Sequence, residues 1–162
     1  MRKQKGFSLI ELLIVVAIIL IIAAIAVPNL LRAKMQANET SAVGSIRAII
    51  TAELSYSSSY PSVGYAASLA QLGGASPCVA SPATACLIES NLSSGSKAGY
   101  NFTAIGSGGP PNSQYYAAAV PITPGQTGTR SFCAFEDGTI RVDPTGAPIA
   151  NEAACQALQP LP

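Results

Sequence analysis

The apolar positions of this chain follow three different rhythms in turn. Residues 7–27 read FSLIELLIVVAIILIIAAIAV, a run in which Glu11 is the one charged position. Its length of about 21 residues gives a helix of about 31 Å, the thickness of a bilayer's hydrocarbon. After Pro28 the rhythm becomes one-sided. Ala42, Val43, Ile46, Ile49, Ile50 and Leu54 recur at three- and four-residue spacing, with Arg32, Lys34, Glu39, Arg47 and Glu53 at polar positions between them. That is the pattern of an amphipathic helix with a single apolar stripe. Pro28 removes a backbone donor and is expected to kink or loosen the helix. Ser57-Ser58-Ser59-Tyr60-Pro61 ends it, because the residue before a proline is driven out of the helical region.

From Tyr60 onward the period shortens to two between clusters of Ser, Gly, Ala and Pro. Candidate strands cover 98–105, 114–122, 130–136 and 139–143, with turns at 106–112 and 124–128. Asp137-Gly138 predicts a two-residue type I′ hairpin pairing Glu136 with Thr139 and Phe135 with Ile140. That register puts Cys133, Phe135, Ile140 and Val142 on one face and Ala134, Glu136, Thr139 and Arg141 on the other. The apolar face is expected to cover the stripe of the helix. The predicted fold class is α+β, a long N-terminal helical spine packed against a small antiparallel β-sheet. The corresponding segments are 1–6, a leader; 7–27, a membrane-spanning helix; 28–59, the amphipathic half of the spine; and 60–162, a globular domain.

Glu11 changes the meaning of the first segment. An acidic side chain at mid-bilayer costs roughly 2.5–3.5 kcal/mol, so it calls for a compensating charge or a place near the interface. Arg2, Lys3 and Lys5 precede the run, and a short basic end of this kind is retained in the cytoplasm, which sends the large carboxyl-terminal part across the membrane. An ordinary signal peptide is a competing reading, since Ala24-Ile25-Ala26 has the small-x-small form and would leave Val27 as the first mature residue. The presence of Glu11, the length of the run and the helical pattern beyond Pro28 weigh against it.

Gly6-Phe7-Ser8-Leu9-Ile10-Glu11, followed by the apolar run and Pro28, resembles the class III signal peptide of type IV pilins and pseudopilins. The resemblance covers roughly the first third of the chain. It implies cleavage after Gly6 by a prepilin peptidase, methylation of the new amino terminus at Phe7, and an assembly role for Glu11. The physical chemistry of the residues agrees. Cleavage would remove three cations and create an ammonium at Phe7, about one helical turn from Glu11, and Glu11 of one subunit could then pair with the Phe7 amine of its neighbour. A buried pair of this kind sets register more than it adds stability.

Four cysteines, Cys78, Cys86, Cys133 and Cys155, all lie in the part expected to be exported, and an even set in an oxidising compartment reads as disulfides with three possible connectivities. We take Cys78 with Cys86 and Cys133 with Cys155; the second pairing resembles the family's carboxyl-terminal disulfide-bounded region. The sequence has 0 histidines, so no Ser-His-Asp or Cys-His centre can be built, and the cysteine gaps suit no zinc site. No enzymatic activity, cofactor or metal is expected. Asp137 and Asp143 read as solvated turn residues rather than calcium ligands. Without Arg2, Lys3 and Lys5 the 9 cationic side chains fall to 6 against 8 acids, a net −2, so no direct nucleic-acid binding is expected.

The function implied is that of a major pilin, a structural subunit polymerising into a type IV pilus for adhesion, surface motility or uptake. The implied partners are further copies of the chain, the prepilin peptidase, an inner-membrane assembly platform and motor, and minor pilins. The implied location is the inner membrane in a single pass, with the carboxyl-terminal domain in the periplasm, and then the cell-surface pilus. A pseudopilin of a type II secretion system is the alternative within the family, and a membrane-anchored monomeric binding domain the alternative outside it.

Overall fold

The computed structural model describes residues 7–161. Helix α1 (Leu9–Ser59) carries Pro28 inside it and is followed by two single-turn helices, α2 (Leu69–Leu72) and α3 (Ser90–Ser93). The rest is a six-stranded antiparallel meander of β1 (Ser96–Lys97), β2 (Tyr100–Ser107), β3 (Gln114–Pro121), β4 (Ser131–Phe135), β5 (Arg141–Asp143) and β6 (Gln159–Pro160), with α4 (Glu152–Gln156) preceding the last strand. The fold is α+β. The four strands expected from alternation form within a residue or two of their predicted limits. The short elements β1, β6, α2, α3 and α4 carry too few residues for any periodicity.

The chain divides into two compact units, one ending at Lys34 and the other beginning at Met35. The second unit has a core between residues 35–59 of α1 and one face of the sheet. Ala42, Ile46, Ile49, Ala52 and Tyr56 of the helix cluster with Tyr100, Phe102, Ala104, Ala117, Ala119, Phe132, Ala134 and Ile140. These helix positions follow a three–four alternation that keeps one side of the helix on the sheet. Two expectations need correction here. Leu54 is 60% exposed, because it lies one residue off the seam that runs through 49, 53 and 56. Glu39 and Glu53, expected at polar positions between the apolar ones, lie on that seam and are buried at 5% and 0% exposure.

The β4–β5 hairpin is a third correction. Cys133 faces Arg141 and Phe132 faces Val142, one residue away from the predicted register. Continued to the turn, that register leaves a three-residue loop, Glu136-Asp137-Gly138. Gly138 N–H donates to the Phe135 carbonyl at 2.9 Å, and Gly138 sits at φ 69°, the left-handed region such a loop requires. Asp137 holds the loop by accepting from Thr139 N–H at 2.9 Å and from Arg141 at 2.8 Å. A one-residue slip turns side chains over. Phe132, Ala134, Ile140 and Val142 therefore belong to the helix-facing core, while Cys133 and Phe135 join Tyr116, Ala118, Ile149 and Cys155 on the opposite face.

That opposite face is covered where β3 and β4 run. Cys133 is bonded to Cys155 of α4, and the Tyr116 hydroxyl donates to the Ile149 carbonyl. The carboxyl-terminal segment thus makes a third, local layer. Strand β2, by contrast, has Tyr100, Phe102 and Ala104 buried and Asn101, Thr103 and Ile105 exposed, the alternation of a sheet with one wet face. A second disulfide joins Cys78 to Cys86 in the connection between α2 and α3.

Candidate functional site

In the first unit, the helix begins with a bond between near neighbours. Ser8 precedes the first helical residue, and its backbone N–H donates to Glu11 Oε2 at 2.8 Å. Ser8-Leu9-Ile10-Glu11 has the spacing of a capping box and makes one of its two bonds, in which the carboxylate three residues on satisfies the donor that opens the helix. The negative charge also lies at the positive end of the helix dipole. Glu11 thus has a partner inside its own chain. The S-x-x-E spacing carries this signal, but it is hidden when the acid is considered only as a charge in an apolar run.

Beyond Glu11 the helix is a greasy cylinder. Phe7 is 91% exposed, and the consecutive residues Leu12, Leu13, Ile14 and Val15, which point in different directions around the axis, are all more than half exposed. Leu9, Leu13, Val16 and Leu20 border a groove of about 470 Å³, which is a furrow between side chains of a single helix and carries almost no polar surface. This stretch is long and apolar enough to cross a membrane, and none of its membrane-length window is buried within the chain. At Pro28 the missing N–H leaves the Ala24 carbonyl without its usual helical donor. One residue later the Asn29 side-chain amide donates to the Ile25 carbonyl at 3.1 Å. Gly6 and the leader residues 1–6 lie outside the described residues.

The second unit holds its two buried carboxylates in opposite ways. Glu39 accepts through Oε1 from the Thr129 N–H at 2.8 Å, the Thr129 hydroxyl at 2.7 Å and the Arg130 N–H at 3.2 Å. Its Oε2 receives Arg130 Nε and Nη2, each at 2.8 Å. Burial alone would raise its pKa, but the donors from Thr129 and Arg130 outweigh it and hold Glu39 below the ordinary 4.5. Glu53 Oε2 accepts one bond, from the Ala66 N–H at 2.8 Å, and Oε1 has no partner among the described residues. Burial pushes this carboxyl up to about 7. Glu39 pins the start of β4 to α1 as a fixed ion pair; Glu53 ties the Tyr60–Ala66 connection to the same helix as a group close to neutrality.

The remaining candidates are tied up locally. Asp137 serves its own turn, and donors from Arg141 and Thr139 prevail over burial to keep it below 3.8. Asp143 accepts from Thr145 N–H at 2.8 Å and from the Thr145 hydroxyl at 2.7 Å. Among the described residues no cluster of three or more His, Cys, Asp or Glu side chains is arranged to hold a metal.

The part of the molecule with an unsatisfied surface is therefore the apolar helix capped by Glu11. That surface coincides with the segment that known proteins share. Residues 1–27 match the family described as the prokaryotic N-terminal methylation motif. The chain opens with a methylation-motif segment of the type IV pilin and pseudopilin kind. Its relatives include the type IV wide pilus major component of Thermus thermophilus, 65% identical over 40 residues, which are 25% of this chain and 30% of that one. The type IV major pilin protein of Myxococcus xanthus is 45% identical over 54 residues, 33% of this chain and 24% of that protein. The type II secretion system core protein G of Vibrio cholerae is 49% identical over 49 residues, 30% of this chain and 34% of that protein. The chain thus spans about a third or less of the length of these relatives. No solved structure matches the chain.

Proposed function

We propose that this protein is the major subunit of a type IV pilus. The observation that carries the reading is a helix apolar on every side, none of it covered by the chain itself, headed by the methylation-motif segment. A surface of that kind is stable in lipid or among copies of itself. The precursor is held in the inner membrane with Arg2, Lys3 and Lys5 in the cytoplasm and the domain from Met35 onward in the periplasm. The prepilin peptidase cuts after Gly6 and the Phe7 nitrogen is methylated. An assembly platform and motor then draw the helix from lipid into a bundle of like helices, with minor pilins as companion subunits.

Glu11 gives that bundle its register. In the precursor its carboxylate is shared with the helix amino terminus; after cleavage the Phe7 ammonium of an adjacent subunit is a stronger partner, being a full positive charge. Desolvating both charges together costs less than stranding either one. Pro28 provides the point at which the helix can flex as the subunit leaves the bilayer.

The test is direct. Mature protein from cells should begin at N-methylated Phe7 by amino-terminal sequencing and mass spectrometry, and Glu11→Ala should leave the subunit in the membrane and abolish surface filaments in electron micrographs. A first residue at Val27, or full piliation of the Glu11→Ala strain, would overturn the reading. The likeness to core protein G supports a second reading, a pseudopilin of a type II secretion system. Deleting the gene separates the two: lost surface fibres with normal exoprotein secretion favour the pilus, and the reverse favours the pseudopilus.

A further inference from the structure

The second unit carries a groove bordered by cations and a protruding turn bordered by acids, and among the described residues no ion pair joins them within the molecule. The groove, of about 500 Å³, is bordered by Glu39, Val43, Gly44, Arg47, Arg130 and Leu161. Arg130 neutralises Glu39. Arg47 is exposed and makes no ion pair among the described residues, so the groove keeps a net positive charge. The turn is Glu136-Asp137-Gly138, all three exposed, and a side chain placed at Gly138 would meet nothing within 4 Å. Asp137 is neutralised by Arg141. Glu136 makes no ion pair among the described residues, so the turn keeps a net negative charge.

Arg130 stands immediately before β4 and Glu136 immediately after it. Six residues of extended chain separate them by about 20 Å. Among the described residues no ion pair joins Arg47 to Glu136 within the chain, which leaves each charge free for a partner in another molecule. A contact that joins one end of a strand to the other end of the same strand in a second copy is head-to-tail, and such contacts propagate instead of closing.

We propose that the β4–β5 turn of one copy docks, through Glu136, in the Arg47 groove of the next copy. The inference rests on the filament reading above and adds a contact between globular domains to the one made by the apolar helices. The groove suits this occupant: Arg47 offers a guanidinium fork to the carboxylate, while Val43 and Leu161 offer apolar cover to the turn.

The experiment compares filament yield, by shearing and immunoblot, from cells making the unaltered full-length chain, Arg47→Glu, Glu136→Arg, or both substitutions together. Each single reversal places like charges together and should lower yield about tenfold; the double reversal should return it to within about threefold of the original. Resistance of the membrane-held subunit to protease verifies that each variant folds. A second measurement uses Arg47→Lys in filaments mixed from 14N- and 15N-labelled cells. Zero-length carbodiimide treatment should join the substituted position to Glu136 across the two isotopes. Unchanged yield in both single reversals, no rescue by the double, or no cross-isotope product would overturn the contact while leaving the filament reading intact. No filaments from the unaltered chain would overturn the filament reading and the contact together.

Discussion

In residues 9–34 of α1 the large apolar side chains stand out from the chain, from Leu9 at 80% exposed to Leu31 at 42%, whereas in residues 35–59 Ile46, Ile49 and Tyr56 are covered completely. Both stretches are helical and rich in aliphatic residues. They differ in arrangement. The first distributes its apolar residues around the whole circumference, so no single sheet could cover them; the second concentrates them on a seam that one face of a sheet covers fully. A surface apolar on all sides is suited to an environment that surrounds it, and a seam is suited to a single partner already present in the chain. The helix thus divides its two tasks by the angular placement of its residues.

That comparison is broken most strongly by placing the same charge in each half. Ile49→Asp puts an unpartnered carboxylate in the fully buried core and should cost more than about 4 kcal/mol. The full-length protein in detergent would lose its cooperative unfolding, followed by tyrosine fluorescence, and its resistance to protease. Removing the tie on the far side of the sheet is the next largest change. Replacing Cys133 and Cys155 together by Ala should lower domain stability by about 3 kcal/mol, read from the shift of the urea midpoint, and should free the segment around α4 to proteolysis first.

The two seam glutamates sharpen the comparison within the second half. Glu53 has its folded pKa raised from 4.5 to about 7, so the folded state binds the proton more tightly than the unfolded state does. Its contribution is fully present below 4.5 and is lost as pH rises through about 7. Relative to Glu53→Gln, the unaltered protein should therefore lose roughly 2–3 kcal/mol of stability between mildly acidic and neutral pH. Glu39 has its folded pKa lowered, so its contribution runs the other way, present above 4.5 and lost as pH falls below that value. Urea titrations of the unaltered protein, Glu53→Gln and Glu39→Gln should give one difference curve that falls as pH rises above 4.5, for Glu53, and one that falls as pH drops below 4.5, for Glu39. The smallest effect on stability belongs to Ile19→Asp, which should leave the unfolding of the domain within about 0.5 kcal/mol of the original, because Ile19 is 58% exposed. Its consequence should fall on retention in the membrane fraction and on filament number.

Much of this organisation is legible from spacing alone. The continuous apolar run, the helical stripe and the four principal strands each repeat a period often enough to be recognised. Glu39 and Glu53 were not legible because their letters say polar while their positions say seam; the three–four alternation of 39, 42, 46, 49, 53 and 56 is the signal that outranks residue type. The β4–β5 register failed for a different reason. Asp-Gly suits a two-residue turn, yet Asp137 bonds to Thr139 and Arg141, and Gly138 takes the left-handed position of a three-residue loop, so one extra residue enters the turn and the faces exchange. At the amino terminus, the capping bond between Ser8 and Glu11 was present in the letters but masked by the charge argument.

The meander has a temporal corollary. Since its strands lie in space in their order along the chain, each new strand finds its hydrogen-bonding neighbour already in place. Pairings between sequence neighbours close small loops and form quickly. A polypeptide delivered from its amino terminus can therefore zip up behind its anchor as it arrives, leaving the Cys133–Cys155 bond as a final latch once α4 has followed β4.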